Sequence, residues 1–171
     1  MRLEDIPPEG LEVAFEDRLA KPGDLGGQVA GLTAPPHARL RLERQGELVL
    51  GRGGYRVGLR LVCSRCLQEV EAQVGGALEW VFGPAQPVND AEEVQLSGED
   101  MDALPYEGDE LDLAQALRDE IGLSLPMAPL CRPDCRGLCP ACGRPLAEGE
   151  CGCRQGESDP RWAKLAELKL K

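Results

Sequence analysis

The chain carries eight cysteines, Cys63, Cys66, Cys131, Cys135, Cys139, Cys142, Cys151 and Cys153, against a single histidine, His37. Clustered thiols bind metal or do redox chemistry. Cys63-Ser-Arg-Cys66 has the C-x₂-C spacing of a knuckle that turns two thiolates into one half of a tetrahedral site. Cys139-Pro-Ala-Cys142 has the same spacing and is followed by Gly143, whose backbone freedom lets amide N–H groups point at the sulfurs. Cys131-x₃-Cys135 precedes this second knuckle and Cys151-Gly-Cys153 follows it. All-cysteine ligation is therefore expected, with Zn²⁺ as the natural S₄ metal and one or two ions per chain. The spacing leaves the partition open. Cys139 and Cys142 draw on Cys151 or Cys153, and Cys63 and Cys66 can join Cys131 and Cys135, which would pin the tail to the body. An iron–sulfur cluster uses the same ligands. A redox dithiol fits less well, because Cys63 falls at a hairpin and not at a helix N-terminus.

The elements that must hold these groups read as α+β. Alternation with period two marks strands at 11–16, 38–43, 48–50, 55–62 and 69–82, and sequential one-sided strands predict an antiparallel, partly closed sheet, a meander or barrel-like. Glycines at 51–54 read as a strand end, Gly75-Gly76 as a bulge, and 21–27 as a loop. Cys63 and Cys66 sit where strand 55–62 turns back; a symmetric hairpin sets Arg60 opposite Glu69 and Arg56 opposite Gln73. An amphipathic helix over 109–126 is predicted, capped by Asp109, with Leu111, Ala114, Leu117, Ile121 and Leu125 on one face. The chain thus divides into a β domain at 1–88, an acidic linker at 89–108, the helix at 109–126, a Cys-rich metal module at 127–156 and a short C-terminal helix at 157–171, with Pro160 in its first turn.

Charge is unevenly spread. The 171 residues hold 30 acids and 19 bases, a formal charge of −11. Twelve of the acids lie within 89–120 beside one base, Arg118, and the remainder of the chain is neutral. Residues 38–66 carry seven arginines, at 39, 41, 44, 52, 56, 60 and 65, against two glutamates. The N-terminal MRLEDIPPEG has no signal-peptide character and no apolar run reaches bilayer length, so a cytoplasmic protein is expected. No serine or threonine has a visible base beside it and no catalytic residue is predicted.

Four blocks, LVCSRCL at 61–67, DELDLAQALRDEIGLSLP at 109–126, CRGLCPACG at 135–143 and DPRWAKL at 159–165, resemble the YceD-like proteins of bacteria and plastids, in the same order. The resemblance implies a non-enzymatic role in accumulation of large-subunit (23S) ribosomal RNA and in ribosome biogenesis. Some members of that family lack the cysteine cluster, which implies that metal here stabilises the tail and is not the shared function.

Two functional readings follow. In the first, the solvent face of the sheet presents Arg39, Arg41, Arg56 and Arg60 to rRNA or a pre-ribosomal particle, since guanidinium forks suit phosphate. In the second, the acidic segment docks a basic ribosomal protein without touching nucleic acid. Neither a membrane nor a small-molecule substrate is expected as partner.

Overall fold

The computed structural model describes residues 1–18, 20–85, 103–149 and 151–153. In chain order these form a 3-10 turn at Leu3–Asp5, β1 Leu11–Glu16, α1 Pro22–Leu25, β2 Val29–Gln45, β3 Leu48–Val62, β4 Glu69–Pro84, β5 Leu104–Tyr106, α2 Leu113–Ser124 and a 3-10 turn at Leu146–Glu148. The sheet order is β1-β2-β3-β4-β5. The first four strands form an antiparallel meander, and β5 joins β4 in parallel. The sheet is therefore mixed and open: among the described residues no ladder joins β5 to β1, and the barrel-like alternative does not hold. No described helix is long and apolar enough to cross a membrane.

Long β2 and β3 replace the shorter strands expected from the pattern. The glycines at 51–54 do not end a strand, because their register with both neighbours is unbroken. Their role is close approach. A Cβ on Gly53 would lie 2.1 Å from the Arg39 carbonyl oxygen and 2.5 Å from Leu40 Cα, so only glycine lets β2 and β3 coil this tightly. Gly75 and Gly76 likewise pair in register with Arg56 and Tyr55, and the irregularities fall in β2 between Val29 and His37. Part of the stretch read as a loop at 21–27 makes the single turn α1, where Lys21 N–H donates to the Asp24 carboxylate at 3.0 Å.

The inner face of the sheet carries Leu40, Leu42, Val49, Tyr55, Val57, Leu59, Leu61, Leu78, Trp80 and Phe82, packed with Leu113, Ala116, Leu117 and Ile121 of α2. The helix starts later than its sequence suggests. Asp112 is the cap, accepting from Gln115 N–H at 2.9 Å. Residues 109–111 stay outside the helix because the chain's start pairs with them: Leu3 N–H donates to the Asp109 carbonyl at 2.9 Å and Leu111 N–H to the Met1 carbonyl at 2.7 Å. This register buries Leu113 and Ala116 and leaves Ala114 half-buried. Polar tips between sheet and helix are matched: the Tyr55 hydroxyl donates to Ser124 Oγ at 2.6 Å, and Trp80 Nε1 to Glu120 at 3.4 Å. Leu104–Tyr106, within the expected linker, form β5, and the Tyr106 hydroxyl donates to the Glu47 carbonyl at 2.7 Å. Residues 89–102 of that linker and the C-terminal helix expected at 157–171 lie outside the described residues.

Asp17 is the one buried charged residue among those described. Its carboxylate meets Arg118 Nε at 2.6 Å, with side-chain exposures of 3% and 20%, and so ties the end of β1 to α2. The hydrogen bond from the guanidinium to Asp17 holds the Arg118 pKa above its ordinary value. Removing one partner of a buried pair strands the other charge. Arg118→Ala is therefore expected to lower unfolding free energy by about 3 kcal/mol in urea denaturation, and Asp17→Asn with Arg118→Gln to cost less than the sum of the single changes; strict additivity would mean the two do not interact.

Candidate metal centres and the arginine face

Both C-x₂-C motifs fold into the same backbone knuckle. At the β3–β4 tip, Cys63 N–H donates to the Gln68 carbonyl and Leu67 N–H to the Cys63 carbonyl, each at 2.9 Å. In the tail, Cys139 N–H donates to the Arg144 carbonyl and Gly143 N–H to the Cys139 carbonyl, each at 2.8 Å. Val62↔Glu69 brackets the first knuckle as Leu138↔Pro145 brackets the second. The residue after the second cysteine is left-handed in both, Leu67 at φ 61° and Gly143 at φ 72°. Because the first loop closes from Cys63 to Gln68 and not between the cysteines, the hairpin register is displaced by two: Arg60 faces Glu71 and Arg56 faces Gly75. A shift of two keeps every side chain on its expected face.

The eight cysteines come together as two tetrads, Cys63, Cys66, Cys131 and Cys135 in one, and Cys139, Cys142, Cys151 and Cys153 in the other, with each set of sulfurs within 4.8 Å. This resolves the partition that spacing left open. In the first tetrad Cys63 Sγ lies 3.9 Å from Cys135 Sγ, and Cys66 Sγ 3.6 Å from Cys131 Sγ. Those separations exceed a disulfide bond, about 2.05 Å. They match the edge of a tetrahedron whose metal–sulfur bonds are about 2.3 Å, which is about 3.8 Å. The donor set and its geometry therefore fit a tetrahedral thiophilic cation.

Backbone and sulfur neighbours polarise each tetrad. The Cys66 backbone N–H, followed by those of Cys131 and Arg65, lowers the Cys63 pKa to about 6. The Cys142 N–H, with the Cys151 thiol, lowers that of Cys139 to about 6. Shared hydrogen bonding with Cys135, together with burial, pushes Cys131 up to about 12, and Cys142 and Cys151 push Cys153 up to about 12. Each knuckle thus favours one thiolate, and Cys131 and Cys153 resist ionising unless a cation offsets the crowded charge.

The tetrads differ in setting. Cys63, Cys66 and Cys135 are buried and Cys131 half-buried, beside Val70, Leu130 and Leu138. Around them the tail clasps the hairpin tip: Ser64 N–H and Oγ donate to the Pro129 carbonyl at 2.8 and 3.1 Å, and the Arg65 guanidinium donates to the Cys135 carbonyl at 2.8 Å. In the second tetrad only Cys139 is buried, and Cys142 and Cys153 are exposed. The clasp by Ser64 and Arg65 and the left-handed Leu67 carried no sequence signal of their own. Gly143 in the matching place of the other knuckle was the clue to Leu67.

The four arginines named from sequence all lie exposed on the outer face of β2 and β3. Arg41 is held by Glu43 at 2.8 Å and Glu12 at 3.7 Å, and also donates to the Glu9 carbonyl. Arg60 pairs with Glu69 at 3.2 Å. Among the described residues Arg39 and Arg56 have no hydrogen-bond or ion-pair partner, and neither does Arg52, which sits opposite Arg41 on the same face.

Leu67 is 63% exposed, so its left-handed backbone is uncompensated by packing. A side chain in that conformation costs roughly 1–2 kcal/mol, part of which glycine returns as chain entropy. Leu67→Gly is expected to raise stability by roughly 0.5–1 kcal/mol, read as a higher midpoint of thermal unfolding; Leu67→Val should lower it. A drop with glycine would mean the leucine side chain is packed.

Comparison with known proteins gives one consistent assignment. Residues 52–169 match the family described as large ribosomal RNA subunit accumulation protein YceD. An uncharacterized protein of Mycobacterium tuberculosis is 42% identical over 130 residues, 75% of this chain and 59% of the relative. One of Mycobacterium leprae is 35% identical over 136 residues, 79% of this chain and 59% of the relative. The chain thus spans 59% of the length of these mycobacterial relatives. The large ribosomal RNA subunit accumulation protein YCED homolog 1, chloroplastic, of Arabidopsis thaliana is 30% identical over 74 residues, 43% of this chain and 23% of the relative. No solved structure matches. The matched span takes in β3 from Arg52 onward, β4, β5, helix α2 and all eight cysteines, and the chain belongs to the YceD family of large ribosomal RNA subunit accumulation proteins.

Proposed function

We propose that this chain supports accumulation of large-subunit (23S) rRNA during ribosome biogenesis in the cytoplasm, as a zinc-binding factor and not as an enzyme, and that it touches rRNA through the outer face of its sheet. The observation that carries the reading is the family match over residues 52–169, which makes large-subunit rRNA the natural partner of the unpaired arginines on β2 and β3. Arginine donates two parallel hydrogen bonds to a phosphate and stays charged at every physiological pH. Zinc suits both tetrads because it takes four thiolates tetrahedrally without redox change. Its work is mechanical: in the first tetrad it fastens the tail to the β3–β4 tip, and in the second it closes a local loop. The ribosomal-protein reading rests on the acidic segment, of which residues 89–102 lie outside those described.

Elemental analysis of the full-length protein is expected to find two zinc ions per chain, and Cys142→Ser with Cys153→Ser to leave one. A competing chromogenic chelator should remove that exposed ion first and the buried one only on unfolding; two ions leaving at one rate would contradict the difference in burial. In cells, ultraviolet crosslinking of the tagged protein should recover large-subunit rRNA, and loss of the gene should lower large-subunit relative to small-subunit rRNA. Absence of both effects would overturn the proposed function.

A further inference from the structure

The outer face sorts its arginines into two kinds. Pairing registers place Glu12, Arg41, Arg52 and Glu79 in one row across β1 to β4. The next row is Ala14, Arg39, Gly54 and Ala77, and the third is Glu16, His37, Arg56 and Gly75. Arg41 and Arg60 are each neutralised by glutamates. Among the described residues no carboxylate is within ion-pair distance of Arg39, Arg52 or Arg56, and Arg39 lies diagonally from both others across Gly54. Diagonal neighbours on a sheet are about 7–8 Å apart, near enough for like charges to repel. The small residues Ala14, Gly54, Gly75 and Ala77 leave the floor beside this triad open.

Resting on the rRNA-contact reading above, we propose that Arg39, Arg52 and Arg56 form a phosphate-binding triad that takes a single-stranded RNA segment lying along β2 and β3. Three observations set the class of ligand. The free guanidiniums step across the face at intervals suited to successive phosphates of one strand. The outer strands carry carboxylates, Glu12 and Glu16 on β1 and Glu71 and Glu79 on β4, so the positive stripe is only two strands wide. A duplex offers phosphates from two strands across a broad shallow groove and would set some of them over those glutamates. Finally, Phe15, Tyr55, Trp80, Phe82 and Tyr106 all pack in the inner core, so among the described residues no Phe, Tyr or Trp on this face offers a platform for stacked bases. The grip is on the backbone and independent of sequence.

The test is fluorescence anisotropy of the full-length, zinc-loaded protein with labelled oligouridylate, a hairpin duplex and polyglutamate, over a range of salt. Oligouridylate should bind in preference to the duplex. Combined Arg39→Ala, Arg52→Ala and Arg56→Ala should weaken it at least tenfold and flatten the log–log salt slope by about 2, since each single-strand phosphate contact contributes about 0.7. Arg41→Ala with Arg60→Ala should leave the slope unchanged. Unaltered melting and zinc content in the triple variant show that the fold is intact. Equal binding of the duplex, tighter binding of polyglutamate, or wild-type binding and cellular crosslinks in the triple variant would overturn the triad while leaving rRNA contact standing. Absence of any RNA binding together with absence of crosslinks would remove both.

Discussion

Two parts of this chain far apart in sequence meet through four sulfur atoms, and much of the tail's placement follows from that meeting. Cys66 and Cys131 bring their sulfurs to 3.6 Å across 65 positions of chain. Ionised thiols at that distance repel unless a cation stands between them. Without one, only weak sulfur contacts link the two parts, too weak to close so long a loop. With one, the hairpin tip becomes a fixed anchorage, and the contacts of Ser64 and Arg65 with tail carbonyls come within reach. The second knuckle then starts from a defined point, because Cys139 follows Cys135 by only four residues.

The body of the fold rests on burial of a more ordinary kind. A coiled sheet offers one apolar face, α2 covers it, and the polar atoms caught between them find partners: among the described residues no buried side-chain nitrogen or oxygen is left unsatisfied. Glycine is what allows the coil. Where β2 crosses Gly53 there is no room for a methyl group, so a position that looks like a break in the strand is where strand packing is closest.

That inversion shows what local pattern can and cannot convey. Alternation identified the inner face of β3 and β4 correctly, since solvent on one side and core on the other is a local property of each residue. The helix face is close to its expected one; its start is displaced because Leu3 and Met1, more than a hundred positions earlier, hold residues 109–111 out of the helix. The open sheet, the parallel β5 and the Asp17–Arg118 pair depend on long-range neighbours in the same way. In the candidate sites, the cysteine types and spacings announced tetrahedral ligation, whereas the partition needed three dimensions. The arginine face was visible as alternation, but which arginines are neutralised depends on glutamates of adjacent strands.

Strand β5 covers β4 only at Phe82, Gly83 and Pro84. Among the described residues, the rest of that long strand is left as an edge, with backbone groups able to accept another strand. Glu69, Glu71 and Glu79 stand exposed along it. Two molecules meeting there edge to edge would have to bring rows of carboxylates together, in a chain already bearing a formal charge of −11. The same glutamates that narrow the positive stripe on the outer face therefore also discourage the sheet from extending itself through a second copy.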